Sequence, residues 1–157
     1  HYVFDREWWI RYLLRFGLSG IKIIPDILVH FRHHRQSKTV SRAAEFEEES
    51  LRMYAAYAKH ADLIKASDLL LSLAKADKLA EIERPISGEK KLIRAMIHYH
   101  LLRKAEEYYY QGQKSKAQLC LDSVDTGYLH ADDKRLYKKI FWRNKLPASL
   151  IETFRKR

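Results

Sequence analysis

At 157 residues and 46% hydrophobic content, the chain can bury one core, or one core plus an appendage, and is too apolar to be disordered. Thirty Lys and Arg against twenty Asp and Glu leave a net charge of +10, which attracts nucleotide diphosphates, acidic lipid headgroups or nucleic acid without choosing among them. No apolar run approaches the ~20 residues of a membrane-spanning helix, and the single Cys120 excludes an internal disulfide framework.

Five Gly and three Pro are few, whereas Ala, Leu, Lys, Glu and Arg are common, so the expected class is mainly α. The sequence opens without an initiator Met or a signal peptide, which makes His1 an expected internal residue of a longer chain. Cys120 sits between Leu119 and Leu121 in a helical pattern, where an inert buried thiol and a reducing compartment are expected.

In chain order, Asp5 to Phe16 reads as a helix with Trp9, Ile10, Leu13 and Leu14 on its apolar side, ended by Gly17 and Gly20. Ile21 to Ile24 and Ile27 to Phe31 are β-branched and aromatic around a Pro25-Asp26 turn, which predicts strand–turn–strand. Helical spacing begins near Ser41, with Phe46, Leu51, Tyr54 and Tyr57 as the apolar positions and Glu45, Glu47, Glu48 and Glu49 in the opening turns. Further helices are predicted from Asp62 to Ile82, from a Ser87 cap through Tyr110, from Lys114 to Val124, from Asp132 to Trp142 and from Pro147 to Phe154.

The chain therefore divides at about residue 40, with residues 41–157 forming a helical bundle. Within that bundle, AEEYYYQGQKSKAQLCLDSV has the small-residue spacing of one tetratricopeptide-like hairpin, although a solenoid needs several stacked units. His98 and His100 lie on different helix faces and lack the i,i+4 geometry of a helical zinc pair, which favours structural roles.

The chemistry-bearing residues lie at the start. FDREWWIR places Asp5 and Glu7 two apart where a helix opens, with Trp9 and Arg11 following. On spacing alone Asp5 is a helix cap and Glu7 pairs with Arg11 one turn later. Trp8 and Trp9 cannot share one face, so the alternatives are core packing for both, the expected place, or one in the core and the other along a binding cleft. Downstream, ILVHFRHHRQSKT puts Arg32, His34, Ser37, Lys38 and Thr39 in a basic loop after the second predicted strand.

These two strings, in this order, resemble the family 2 glycosyltransferases. There an acidic helix start of the form Asp-Tyr-Asp-Leu-Trp-Leu-Arg precedes a strand and a basic loop of the form Arg-x-His-x-x-Ser-Lys-Thr. Asp5, Glu7, Trp9 and Arg11 match the first string, and Arg32, His34, Ser37, Lys38 and Thr39 the second. The likeness covers about Tyr2 to Phe46 and implies that residues 1–40 are the C-terminal strip of a GT-A α/β catalytic domain, the strand–turn–strand being its remnant, with residues 41–157 an accessory helical domain.

The resemblance also implies roles. Asp5 is the expected general base of an inverting transfer; Glu7, Trp9 and Arg11 support the acceptor or the local structure; Arg32, His34 and Lys38 face the donor diphosphate. His34 is a possible metal ligand, with Mn or Mg as the divalent cofactor of the full-length enzyme. The implied partners are a nucleotide-sugar donor and a glycan, lipid-linked or protein acceptor, in cell-envelope polysaccharide synthesis. The implied location is the cytoplasm, with room for peripheral contact on the inner face of the membrane.

This sequence carries no Gly-rich phosphate loop and no Asp-x-Asp, so by itself it is expected to be inactive and to need no cofactor. The alternative is a non-catalytic helical module that docks a partner protein or an acidic membrane surface. Nucleic-acid binding is not expected, because charge alone suggests it and no reader motif is present.

Overall fold

The computed structural model describes residues 3–22, 24–27, 29, 41–82 and 85–146. The protein is mainly α: α1 (Phe4–Phe16), α2 (Ala43–His60), α3 (Ile64–Ala74), α4 (Lys90–Tyr110), α5 (Lys114–Asp122), a short 3-10 turn (Thr126–Tyr128) and α6 (Ala131–Lys145). Two compact units divide the chain, His1–Ile93 and Arg94–Arg157.

In the first unit, α2 and α3 form an antiparallel hairpin over the short turn at Ala61 to Leu63, where Asp62 adopts a left-handed φ of 63°. Small side chains let the two helices pack closely: Ala55, Ala56, Ala58, Ala61, Ala66 and Ala74 are all buried, as are Leu51, Met53 and Leu70. The buried Ser67 hydroxyl donates to the Ala55 carbonyl at 2.9 Å, so this polar side chain at the seam is satisfied by the facing helix.

The helix predicted from Asp62 to Ile82 ends early, at Ala74. Lys75 enters the left-handed region at φ 54°, and the Ala76 N–H closes back on the Leu71 carbonyl at 3.1 Å, the six-to-one bond of a Schellman stop. A lysine, not the usual glycine, occupies that position. The chain beyond it is tied to α2 by Arg52, whose guanidinium donates to the carbonyls of Lys78 at 2.9 Å and Leu79 at 3.2 Å.

α1 starts without a side-chain cap at Val3 and ends at Gly17, whose φ of 66° suits glycine and whose N–H returns to the Leu13 carbonyl. Ile10 is its one buried residue. Leu14 lies against Gly88, where an added Cβ would stand 3.0 Å from the leucine Cβ. The rest of the face carrying Phe4, Trp8, Trp9, Leu13 and Phe16 is exposed, so neither tryptophan packs in a core; Trp8 stacks on Tyr12, and Trp9 meets both rings edge-on.

The strand–turn–strand expected at Ile21 to Ile24 and Ile27 to Phe31 is not found among the described residues: 21, 22, 24–27 and 29 form no strand, and Ile23, Leu28, His30 and Phe31 lie outside them. Ile21, Ile24, Ile27 and Val29 are exposed, and a strand exists only where a neighbour completes its ladder of hydrogen bonds.

The second unit holds most of α4, and its buried residues are Ile97, Leu101, Leu102 and Ala105 of α4, Ala117, Cys120 and Leu121 of α5 and Ile140 of α6. Gly112, at φ 75°, lets α4 stop and α5 turn back, with the Gln113 N–H on the Tyr108 carbonyl at 2.8 Å. This helix pair is followed by the 3-10 turn and the lone α6, and nothing among the described residues marks it as tetratricopeptide-like. Asn144 of α6 donates to the Lys114 carbonyl and to Gln118, which fixes α6 along α5. The predicted helix at Pro147 to Phe154 lies outside the described residues.

Cys120 is buried, and desolvation pushes its thiol up to about 12, the inert state expected of it. His98 is also buried: its Nδ1 accepts the Asp125 N–H at 3.2 Å while its ring stacks on Tyr128, and burial holds its pKa below the ordinary histidine value.

Candidate functional site

In the first unit, α1 lies beside α2 and the segment after α3 so that a cleft of about 510 Å³ opens between them. Glu7, Trp8 and Arg11 come from α1, Glu49 and Met53 from α2, and Ala80, Glu81 and Ile82 from the segment that Arg52 tethers. Positions 4, 7, 8 and 11 share one side of a 3.6-residue helix, which is why Phe4, Glu7, Trp8 and Arg11 reach the same space.

Glu7 is the most constrained carboxylate there. One of its oxygens accepts the Arg11 Nε–H and also the Tyr57 hydroxyl at 3.1 Å. Tyr57 is fully buried, and its phenol titrates far above its ordinary value, first because burial disfavours the phenolate and second because the Glu7 charge repels it. Arg11 in turn donates to the Pro85 carbonyl at 2.8 Å. The Arg6 guanidinium, one residue before Glu7, donates to the Ser50 hydroxyl at 2.6 Å and pins the start of α1 to α2. The pairing of Glu7 with Arg11 one turn later is present as the spacing predicts.

Asp5 and Trp9 stand elsewhere. Asp5 sits inside the first turn of α1 rather than at the cap, exposed, with its carboxylate on the Arg6 N–H at 2.7 Å. It complements the positive end of the helix dipole and is not among the described residues lining the cleft. Trp9, 51% exposed, points off the cleft, whereas Trp8, 55% exposed, lines it. Arg32, His34 and Lys38 lie outside the described residues.

Chemically, the cleft offers carboxylate acceptors from three elements, one guanidinium and an indole face. That combination suits a neutral polyhydroxylated ligand, since hydroxyls donate to carboxylates while the C–H face of a ring covers an aromatic. It does not fit a metal ion. Among the described residues no three His, Cys, Asp or Glu side chains gather into a possible metal site. Glu7, the carboxylate held most firmly, is already engaged by a cation and a phenol.

Sequence reasoning left open which of Trp8 and Trp9 lines the cleft, and did not single out Tyr57, Glu49, Glu81 or Arg52 for the site. Tyr57 and Arg52 read as ordinary helical positions, and their partners lie 50 and 26–27 residues away, beyond any local pattern.

No family model, no curated protein and no solved structure matches the chain. Among the described residues no helix is long and apolar enough to cross a membrane.

Proposed function

We propose that the chain is the acceptor-side end of an inverting, family 2 type glycosyltransferase, and that the cleft beside α1 receives part of the sugar acceptor. The observation that carries this reading is the position of Glu7, Trp8 and Arg11 from a single helix on one cleft, within the stretch that resembles the family's acidic helix start. The exposed Ile21, Ile24, Ile27 and Val29 fit a segment whose sheet neighbours belong to a donor-binding α/β domain elsewhere in a longer protein.

The role of Asp5 rests on the family resemblance and not on the cleft, whose described lining lacks it: the acceptor reaches past the cleft, and its hydroxyl gives its proton to the Asp5 carboxylate while its oxygen attacks the anomeric carbon. The glycosidic bond to the diphosphate breaks, and its electron pair leaves with the nucleoside diphosphate. The resemblance assigns Arg32, His34 and Lys38 to the charge that develops on the leaving group. A divalent metal would add charge stabilisation in the full-length enzyme. Glu7 and Arg11 hold the acceptor end of α1 in place, and Trp8 offers the stacking face.

The test is sugar transfer by the full-length enzyme carrying Asp5→Asn. Loss of a general base lowers kcat by about 10²–10⁴-fold with donor KM held. Unchanged turnover would return Asp5 to a purely structural place at the helix start.

A further inference from the structure

α6 presents a second surface, in the second unit, that the sugar-transfer reading does not use. Its sequence, ADDKRLYKKIFWRNK, buries Ile140 on one side. Its exposed positions are Ala131, Asp132, Lys134, Arg135, Lys138, Lys139, Trp142 and Lys145, a register of three and four that makes one continuous ridge. Five cations and one indole therefore line about 22 Å of helix, against the single exposed carboxylate of Asp132.

That carboxylate is held by Arg135 at 3.3 Å. Lys134, Lys138 and Lys139 have no ion-pair partner among the described residues. Trp142, 62% exposed, is set edge-on against Phe141 at 5.7 Å, and Lys145 lies over the Phe141 ring at 4.1 Å from its centroid. The indole is thus propped outward among cations rather than folded back onto the protein.

We infer that this ridge is a binding face for an anionic phospholipid bilayer, with the lysines over the headgroups and Trp142 in the interface. Lysine suits such a surface, because a flexible point charge on an apolar stem adapts to a fluid array of phosphates and carboxylates. An indole prefers the zone where one side is apolar and the other wet. The cations alone would also meet nucleic-acid phosphates, and what favours a bilayer is the exposed indole of Trp142 among them. The inference stands apart from the sugar-transfer reading, since none of these residues borders the cleft.

The experiment is cosedimentation of the whole chain with phosphatidylserine-containing vesicles and with pure phosphatidylcholine vesicles, alongside the triple variant Lys134→Gln, Lys138→Gln, Lys139→Gln. Binding is expected to the anionic vesicles alone, to be released by salt, and to weaken by about 100-fold in the triple variant. In Trp8→Phe, Trp9→Phe protein, where Trp142 is the one remaining indole, its emission is expected to shift to the blue on those vesicles. Equal affinity for both vesicles, binding that survives high salt, full binding by the triple variant, or an unshifted Trp142 emission would each overturn the inference. So would capture of single-stranded RNA without any vesicle binding.

Discussion

The Tyr57 hydroxyl donates to Glu7 Oε1 at 3.1 Å, so a phenol in the core of α2 and a carboxylate on the rim of the cleft are held as one unit. Arg11 donates its Nε–H to the same oxygen, so one carboxylate atom joins the phenol and the guanidinium. Tyr57→Phe keeps the ring and removes this bond, and urea unfolding should report a loss of about 2 kcal/mol, the magnitude of a hydrogen bond to a charged group. The same variant tests the titration. Because the native phenol holds its proton above the ordinary value of 10.0, stability is fully present below that pH and falls as pH rises beyond it. Urea midpoints compared at about pH 9 and about pH 11 should drop less in Tyr57→Phe than in the parent.

His98 gives the opposite limb. Burial lowers its native pKa from 6.5, so the unfolded chain takes up a proton there before the native protein does. Stability is present above pH 6.5 and is lost as pH falls toward the native value, because an imidazolium has no lone pair left for the Asp125 N–H. His98→Asn, whose carbonyl can accept that bond without titrating, should flatten the fall in thermal midpoint on acidification. An unchanged slope would assign the acid limb to other groups.

Arg52 is the clamp on the cleft wall. Its donations to Lys78 and Leu79 hold the segment from which Ala80, Glu81 and Ile82 reach the cleft. Arg52→Ala should raise amide exchange across residues 78–82 by about tenfold while leaving exchange in the second unit unaltered. Arg52→Lys should not restore protection, since one ammonium cannot copy a fork that spans two carbonyls.

Gly88 combines a φ of 128° with a Leu14 side chain standing where its Cβ would go. Gly88→Ala therefore meets both backbone strain and a clash, and a loss of about 1–3 kcal/mol is expected in urea unfolding. Trimming the neighbour, in Gly88→Ala with Leu14→Ala, should not recover the loss, because alanine keeps the Cβ that the new methyl meets at 3.0 Å, and a double-mutant cycle should read little relief.

Much of the helical plan was legible because it rests on periodicity. α1 begins one residue before the predicted Asp5 and ends at Phe16 as predicted, and Gly112 breaks α4 from α5 where expected. The early stop of α3 was not legible, since the left-handed residue is Lys75 and carries no glycine signal. Trp8 and Trp9 misled in another way: hydrophobicity predicts burial, and only the packing of α1 through Ile10 leaves that face outward. At the site, the Glu7–Arg11 pair was readable from its four-residue spacing. The bond to Tyr57, the Arg52 clamp and the turning of Trp8 rather than Trp9 into the cleft depend on tertiary geometry that no local pattern encodes.

The α2–α3 hairpin also sets an order of assembly. Its central bond, Ser67 to Ala55, closes a loop of 12 residues, whereas α1 is fastened by contacts spanning 44, 50 and 74 residues to Ser50, Tyr57 and Pro85. Short closures lose less chain entropy and form sooner, so the hairpin should be structured in the folding transition state while α1 is still unattached. The cleft, which needs α1, is then among the last features of the first unit to appear and the first to be lost when the protein is stressed.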